Sequence, residues 1–378
     1  MMLHLRHDVG SLMVVGLAAR ELSGMERTWL KLVRPGGVIL FRRNIEGAAQ
    51  TRALLDESTS LCAAHAFRCV DMEGGTVDRL RNALTPTHSA QAVFLAAQHL
   101  KKPALMCEQG ELIGRACNAF GFNTTLAPVL DLGLPASAAV MGTRVAAATA
   151  EGVVEYARAF LCGLKAQGVL GCGKHFPGLG GGALDSHLET PSIDRTLRAL
   201  QREDMVPYRE LSNELPMIMV NHAAYPRTPG KQRPASASPY WISTVLRKQL
   251  GYRGIVFSDD MEMGGILKFM PIEEAAIAAL RAGMDLIEIC HSPELILRAF
   301  EALLSEAERS SSFRKIITER ARRSAKARLR LFAAGTPRAL TAKQFEALRT
   351  RMERFNATIQ EAQPSEISID KNQEARSL

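Results

Sequence analysis

The run Gly168-Val169-Leu170-Gly171-Cys172-Gly173 leads directly into Lys174-His175-Phe176-Pro177-Gly178. Its first six residues are small and apolar, the composition of a short strand buried on both faces. A cation and a histidine begin where that strand ends, which is where parallel α/β folds keep their chemistry. Taking this strand as 169–175, similar runs occur at 12–16, 37–41, 67–71, 125–131, 217–222, 255–259 and 285–290. They alternate with amphipathic stretches over 47–64, 92–120, 147–167, 195–211, 239–250 and 272–282, as βαβ units require. Polar residues fall at the ends of the runs, among them Asn44, Asp71, Asp131, Lys174, His175, His222, Asp259 and His291. A doubly wound sheet would also place polar groups there, but a count of eight strands is the one that closes a parallel barrel. The expected fold is α/β, a single (β/α)8 TIM-type barrel over residues 1–308. Further helical stretches over 293–303, 313–332 and 341–357 predict a closing helix and a C-terminal helical extension over 309–358. The polar residues 359–378 are expected to form a disordered tail.

Composition narrows the function classes. The 378 residues are 47% hydrophobic, ample for a buried core. No apolar run approaches the roughly 20 residues that span a bilayer, and the first residues lack a basic region followed by a long apolar one. No membrane association is expected, and the location is read as cytoplasmic. Seven scattered cysteines without a Cys-x-x-Cys pair suit reduced thiols rather than disulfides or structural zinc. The net charge of +8 owes much to nine Lys and Arg within 309–330, read as a solvated helix face. With aromatics at 6% and no helix-turn-helix or zinc-finger pattern, nucleic-acid binding is not expected.

Three segments carry chemistry. Asp71-Met72-Glu73-Gly74-Gly75-Thr76-Val77-Asp78-Arg79 pairs a glycine turn with charged groups suited to sugar hydroxyls, Asp71 and Arg79 foremost. Phe257-Ser258-Asp259-Asp260 ends a strand in two carboxylates. The run Gly178–Gly182 lacks the Gly-Lys-Ser/Thr of a phosphate cradle, so its glycines predict loop motion. It leads to Asp185-Ser186-His187. No compact ligand motif is present, so neither a metal nor a cofactor is expected. His222 fits a pocket position, with a buried histidine tying down a loop as the rival reading, and stays outside the catalytic set; Cys290 and His291 are read as packing residues.

Four motifs in order resemble the N-acetyl-β-glucosaminidase branch of glycoside hydrolase family 3: Asp71-x-Glu73-Gly74-Gly75-x-Val77-x-Arg79, Leu126-Ala127-Pro128-Val129-Leu130-Asp131-Leu132, Lys174-His175-Phe176-Pro177-Gly178 with Asp185-Ser186-His187, and Phe257-Ser258-Asp259-Asp260-x-x-Met263. The resemblance spans residues 10–300. It implies a retaining exo-β-N-acetylglucosaminidase in which Asp259 is the nucleophile and His187, partnered by Asp185, protonates the leaving oxygen. It also implies substrate contacts from Asp71, Arg79, Arg144, Lys174 and His175. The implied partner is an N-acetylglucosamine-containing saccharide or muropeptide, the implied pathway cell-wall recycling, and the chain is expected to be a monomer. Histidine's ordinary pKa of about 6.5 suits proton donation near neutrality. An Asp and His pair nonetheless departs from the two carboxyl groups most retaining glycosidases use. Asp185 would orient the ring as the aspartate of a serine protease triad does. A neutral histidine repels an incoming anion less than a carboxylate would, so phosphate is an expected rival to water and a glycoside phosphorylase an alternative reading. Another family 3 exo-glycosidase and a non-catalytic muropeptide sensor are the remaining alternatives. The chain departs from the family pattern at Leu179, where a second histidine is usual, and at Arg144-Val145-Ala146, where Arg-Ser-Phe is typical.

Overall fold

A computed structural model describes residues 2–182, 191–332, 335 and 338–362. Its strands are β1 (Met13–Gly16), β2 (Gly37–Leu40), β3 (Phe67–Val70), β4 (Met72–Gly74), β5 (Val77–Asp78), β6 (Thr124–Thr125), β7 (Leu170–Phe176), β8 (Met217–Val220), β9 (Ile255–Asp260) and β10 (Leu286–Ile289). Eight of them close a parallel barrel in the order β1-β10-β9-β8-β7-β6-β3-β2, while β4 and β5 form an antiparallel hairpin. The (β/α)8 barrel read from the apolar runs is therefore the observed fold.

Side chains alternate along a strand, so one residue in two fills the barrel. The interior holds Phe67 and Cys69 of β3, Cys172 of β7, Met217 and Met219 of β8, Ile255 and Phe257 of β9, and Leu286. Continuing each interior face toward the C-terminal end gives Asp71 after Cys69, Lys174 after Cys172, and Asp259 after Phe257. Two-residue periodicity thus delivers two carboxylates and an ammonium to one mouth of the barrel.

The opposite mouth is closed by the basic C-terminal helix Ser311–Phe332. Phe332 joins the barrel interior and meets Phe67 edge-on at 5.3 Å. The helix is not simply a solvated face. Arg328 is buried, donating to Ser11 O at 3.2 Å, Ala64 O at 3.2 Å and Ser324 Oγ at 2.7 Å. Arg320 and Arg323 each lie 3.4 Å from the buried Asp285 carboxylate. Barrel-end carbonyls and a buried acid at the base of β10 require cationic partners, so part of this charge serves packing.

Prolines explain two further departures. The stretch 92–120 is two helices, Ala90–His99 and Ala104–Phe120, because Pro103 lacks an N–H and disfavours helix in the residue before it. The fourth barrel strand shrinks to Thr124–Thr125, since Pro128 cannot donate to the ladder; an isolated bridge, Val129 with Lys174, continues the pairing. Helix Met2–Gly10 and the β4–β5 hairpin are additions the apolar runs do not predict. Among the described residues, no helix is long and apolar enough to cross a membrane.

Candidate active site

Lys174 Nζ donates to Asp71 Oδ1 at 3.0 Å and lies 2.7 Å from Glu73 Oε1. Arg144 grips Glu73 with both arms of its guanidinium, at 2.8 and 2.9 Å, and Arg79 Nη2 reaches Asp71 Oδ2 at 3.3 Å. The structure therefore brings Asp71, Arg79, Arg144 and Lys174 into one alternating chain of charge. Lys174 stands at its centre, and its other carboxylate is Glu73, which sequence reasoning left out although Asp71 and Glu73 stand two apart. Gly74 and Gly75, at φ of +88° and +60°, make the turn that folds this segment back, a backbone region that disfavours side chains.

Burial alone would push these carboxyls up. For Glu73, Arg144 and Lys174 outweigh that and hold it well below the usual carboxylate range; Lys174 and Arg79 lower Asp71 from its ordinary value. Burial likewise disfavours the Lys174 ammonium, but Asp71 and Glu73 raise it above its ordinary value. The groups are charged and mutually satisfied, and their chemistry suits hydrogen bonding to hydroxyls.

His175 faces elsewhere. Its Nδ1 is 2.7 Å from Asp131 Oδ2, its backbone N–H donates to the same oxygen at 3.2 Å, and Leu179 N–H donates to Asp131 Oδ1 at 2.6 Å. Asp131 thus pins the start of the glycine-rich loop, a role its place at a strand end could have suggested. Leu179 packs against the apolar core. The glycines that follow are close-packed rather than merely loose: a Cβ on Gly180 would meet Leu132 O at 2.6 Å, and one on Gly181 would meet Arg195 Cδ at 2.6 Å. Asp131→Ala is expected to cost about 1–3 kcal/mol by stranding these donors, with Asp131→Asn recovering part. Denaturant unfolding checks it, and equal stability of Asp131→Ala and the parent would contradict the pinning role. Asp185 and His187 lie outside the described residues.

Asp259 is half-buried on the interior face, and its Oδ1 accepts the backbone N–H of Asp260 at 3.0 Å. Asp260 differs. Burial, then Glu262 and Asp259, push its carboxyl up to about 8. A carboxylate that must be anionic at neutral pH is therefore poorly served by Asp260. Glu288 of β10 is buried beneath, and burial with the charges of Asp260, Asp71 and Asp259 raises it well above its ordinary value. An acid flanked by Ile287 and Ile289 in the middle of the run 285–290 was the available signal for this residue. His222 is buried, with Nδ1 2.7 Å from Ser236 Oγ and Nε2 3.0 Å from Asp260 O, so it anchors the end of β9.

A cavity of about 500 Å³ lined by Arg34, Asp56, His65, Arg68 and Phe332 lies at the other end of the barrel. Barrel enzymes build their sites at the C-terminal face, which is where the charged chain and Asp259 are.

Residues 4–326 match the family model described as the glycosyl hydrolase family 3 N terminal domain. A β-hexosaminidase from Alkalilimnicola ehrlichii is 40% identical over 287 residues, covering 75% of this chain and 82% of the relative. Among solved structures, a glycoside hydrolase family 3 β-N-acetylglucosaminidase from Paenibacillus is 30% identical at a TM-score of 0.82, covering 93% of this chain and 68% of that one. NagZ from Neisseria gonorrhoeae in complex with N-trifluoroacetyl-D-glucosamine is 28% identical at a TM-score of 0.74, covering 93% of this chain and 98% of the other.

Proposed function

Because the chain belongs to glycoside hydrolase family 3 and is a glycosidase of the β-hexosaminidase type, we propose that it is a retaining exo-enzyme. It removes terminal non-reducing N-acetyl-β-D-glucosamine through a covalent intermediate on Asp259. The observation that carries this reading is the carboxylate of Asp259 on the interior face of β9, at the mouth that also holds the Asp71–Lys174–Glu73–Arg144 chain. The charged chain binds the hydroxyls of the terminal sugar and fixes its anomeric carbon against Asp259. As the glycosidic bond breaks, the anionic carboxylate stabilises the oxocarbenium-like transition state and then bonds to it. His187, oriented by Asp185, gives its proton to the leaving oxygen and takes one from the incoming water in the second step.

Muropeptide fragments carrying N-acetylglucosamine on an anhydro-N-acetylmuramyl residue are the substrate class, and wall recycling in the cytoplasm the setting. Seven free thiols, five of them buried, support a reducing compartment. The chain acts as a monomer in this reading.

The test is hydrolysis of an aryl N-acetyl-β-glucosaminide beside the aryl β-glucoside, with the first-formed sugar anomer read by NMR. Turnover of the N-acetylated substrate alone, releasing the β-anomer first, is expected. An α-anomer would rule out retention, and equal turnover of the glucoside would rule out N-acetyl specificity. Sugar phosphate as the main product in phosphate buffer would replace hydrolysis by phosphorolysis. A folded chain that binds the sugar and turns over neither substrate would be a sensor.

A further inference from the structure

Strands β9 and β10 are neighbours, with Leu286 opposite Phe257 and Glu288 opposite Asp260. Both end in metal-ligating residue types, Asp260 on one and Cys290-His291 just past the other. The Asp260 carboxylate, the Cys290 thiol and the His291 imidazole offer three ligand atoms within 4.8 Å of one another. His291 Nε2 stands 3.6 Å from Asp260 Oδ2. Two ligands on one tetrahedral zinc-type ion, with bonds of about 2.0–2.3 Å, are about 3.4–3.7 Å apart. One edge of the triangle thus has the right span already, and the others have to close by about 1 Å at most. We propose that Asp260, Cys290 and His291 form a binding site for a thiophilic divalent cation of the zinc class at the barrel mouth, next to Asp259.

The donor set selects the ion. Magnesium and calcium prefer all-oxygen shells, whereas mixed sulfur, nitrogen and oxygen ligands suit zinc, cadmium or cobalt. The surroundings are acidic too, since the carboxyls of Glu262, Asp259 and Glu288 lie close enough to Asp260 to interact with it electrostatically. Arg43 is the opposing charge: its Nη1 lies 2.9 Å from His291 Nδ1, and its Nη2 donates to Cys290 O at 2.7 Å. A ring that ligates through Nε2 carries its proton on Nδ1, so loading breaks the Arg43 contact. The thiol proton, and the carboxyl proton where Asp260 bears one, leave to solvent as the metal bonds form; nothing is oxidised or reduced. Because the Asp260 backbone N–H supports Asp259 Oδ1, a cation that draws Asp260 toward it is expected to inhibit. That consequence alone rests on the proposed function.

The full chain is titrated with Co²⁺, read by near-ultraviolet thiolate-to-cobalt charge-transfer absorption, and with Zn²⁺, read by calorimetry. One ion per chain and a thiolate band are expected. Cys290→Ser should abolish the band, and Cys290→Ser and His291→Asn should each weaken Zn²⁺ binding by about tenfold or more. Arg43→Met should tighten it, whereas His187→Ala should keep the band, which separates this site from one built on the loop histidine. A wild type without the band, or Zn²⁺ affinity unchanged in both Cys290→Ser and His291→Asn, would overturn the proposal, as would weaker binding in Arg43→Met. A chain that shows the band but cleaves no glycoside keeps this site and loses the proposed function; an active chain without the band does the reverse.

Discussion

Asp259→Ala is expected to lower kcat/KM for an aryl N-acetyl-β-glucosaminide by about 10⁴-fold or more, the scale at which losing a nucleophile is felt. The expectation rests on where the strand places the two acids. Ile255 and Phe257 fill the barrel, so Asp259 is the next side chain on that face and Asp260 the next on the other. Asp260→Asn keeps the backbone N–H that Asp259 Oδ1 accepts, so this variant should remain folded and retain measurable turnover. If Asp260→Asn were dead and Asp259→Ala active, the assignment would be reversed.

Lys174→Met carries the largest expected cost in stability, about 3–5 kcal/mol, because it leaves two buried carboxylates short of a partner. Arg79 remains on Asp71 Oδ2 and Arg144 on both oxygens of Glu73, but the ammonium that joins the pair is lost. The effect should depend on pH with a definite sign. Both carboxyls titrate below their ordinary values of 3.8 and 4.5 in the folded chain. The stability they lend is therefore fully present above about pH 4.5 and is lost as pH falls through the folded values. Lys174 is raised above its ordinary 10.5, so its own share stays constant in this acid window. The gap between wild type and Lys174→Met should be widest at neutral pH and narrow toward pH 3. Denaturant titrations at pH 7 and pH 3 check this, and a gap of constant size would show that the cluster is not ionised as described.

The barrel was legible because a strand buried on both faces leaves a short apolar run, and Met217 to Val220 or Ile255 to Phe257 can hardly be read otherwise. Thr124–Thr125 was overextended because Pro128 ends a ladder without ending an apolar pattern. The β4–β5 hairpin was missed because strands of three and two residues are too short to show a period. Motif matching brought Asp71 and Lys174 to one site across 103 residues of chain, a contact that spacing alone does not show. Glu73 and Asp131 were quoted within motifs but given no role, because their partners Arg144 and His175 lie 71 and 44 residues away. The glycine run was read for loop motion; the sequence does not show that Gly180 and Gly181 also sit where neighbouring chain leaves little room for a side chain. Conformational and steric demands for glycine look alike in one dimension.

The central claim is that Asp259 forms a glycosyl bond to the substrate. Incubation with a 5-fluoro N-acetylglucosaminyl fluoride, which forms such an intermediate faster than water removes it, followed by proteolysis and peptide mass spectrometry, tests it directly. The account predicts one sugar on the peptide that ends β9, attached to Asp259. A sugar on Asp260, or turnover with no labelled peptide at any time, would contradict it.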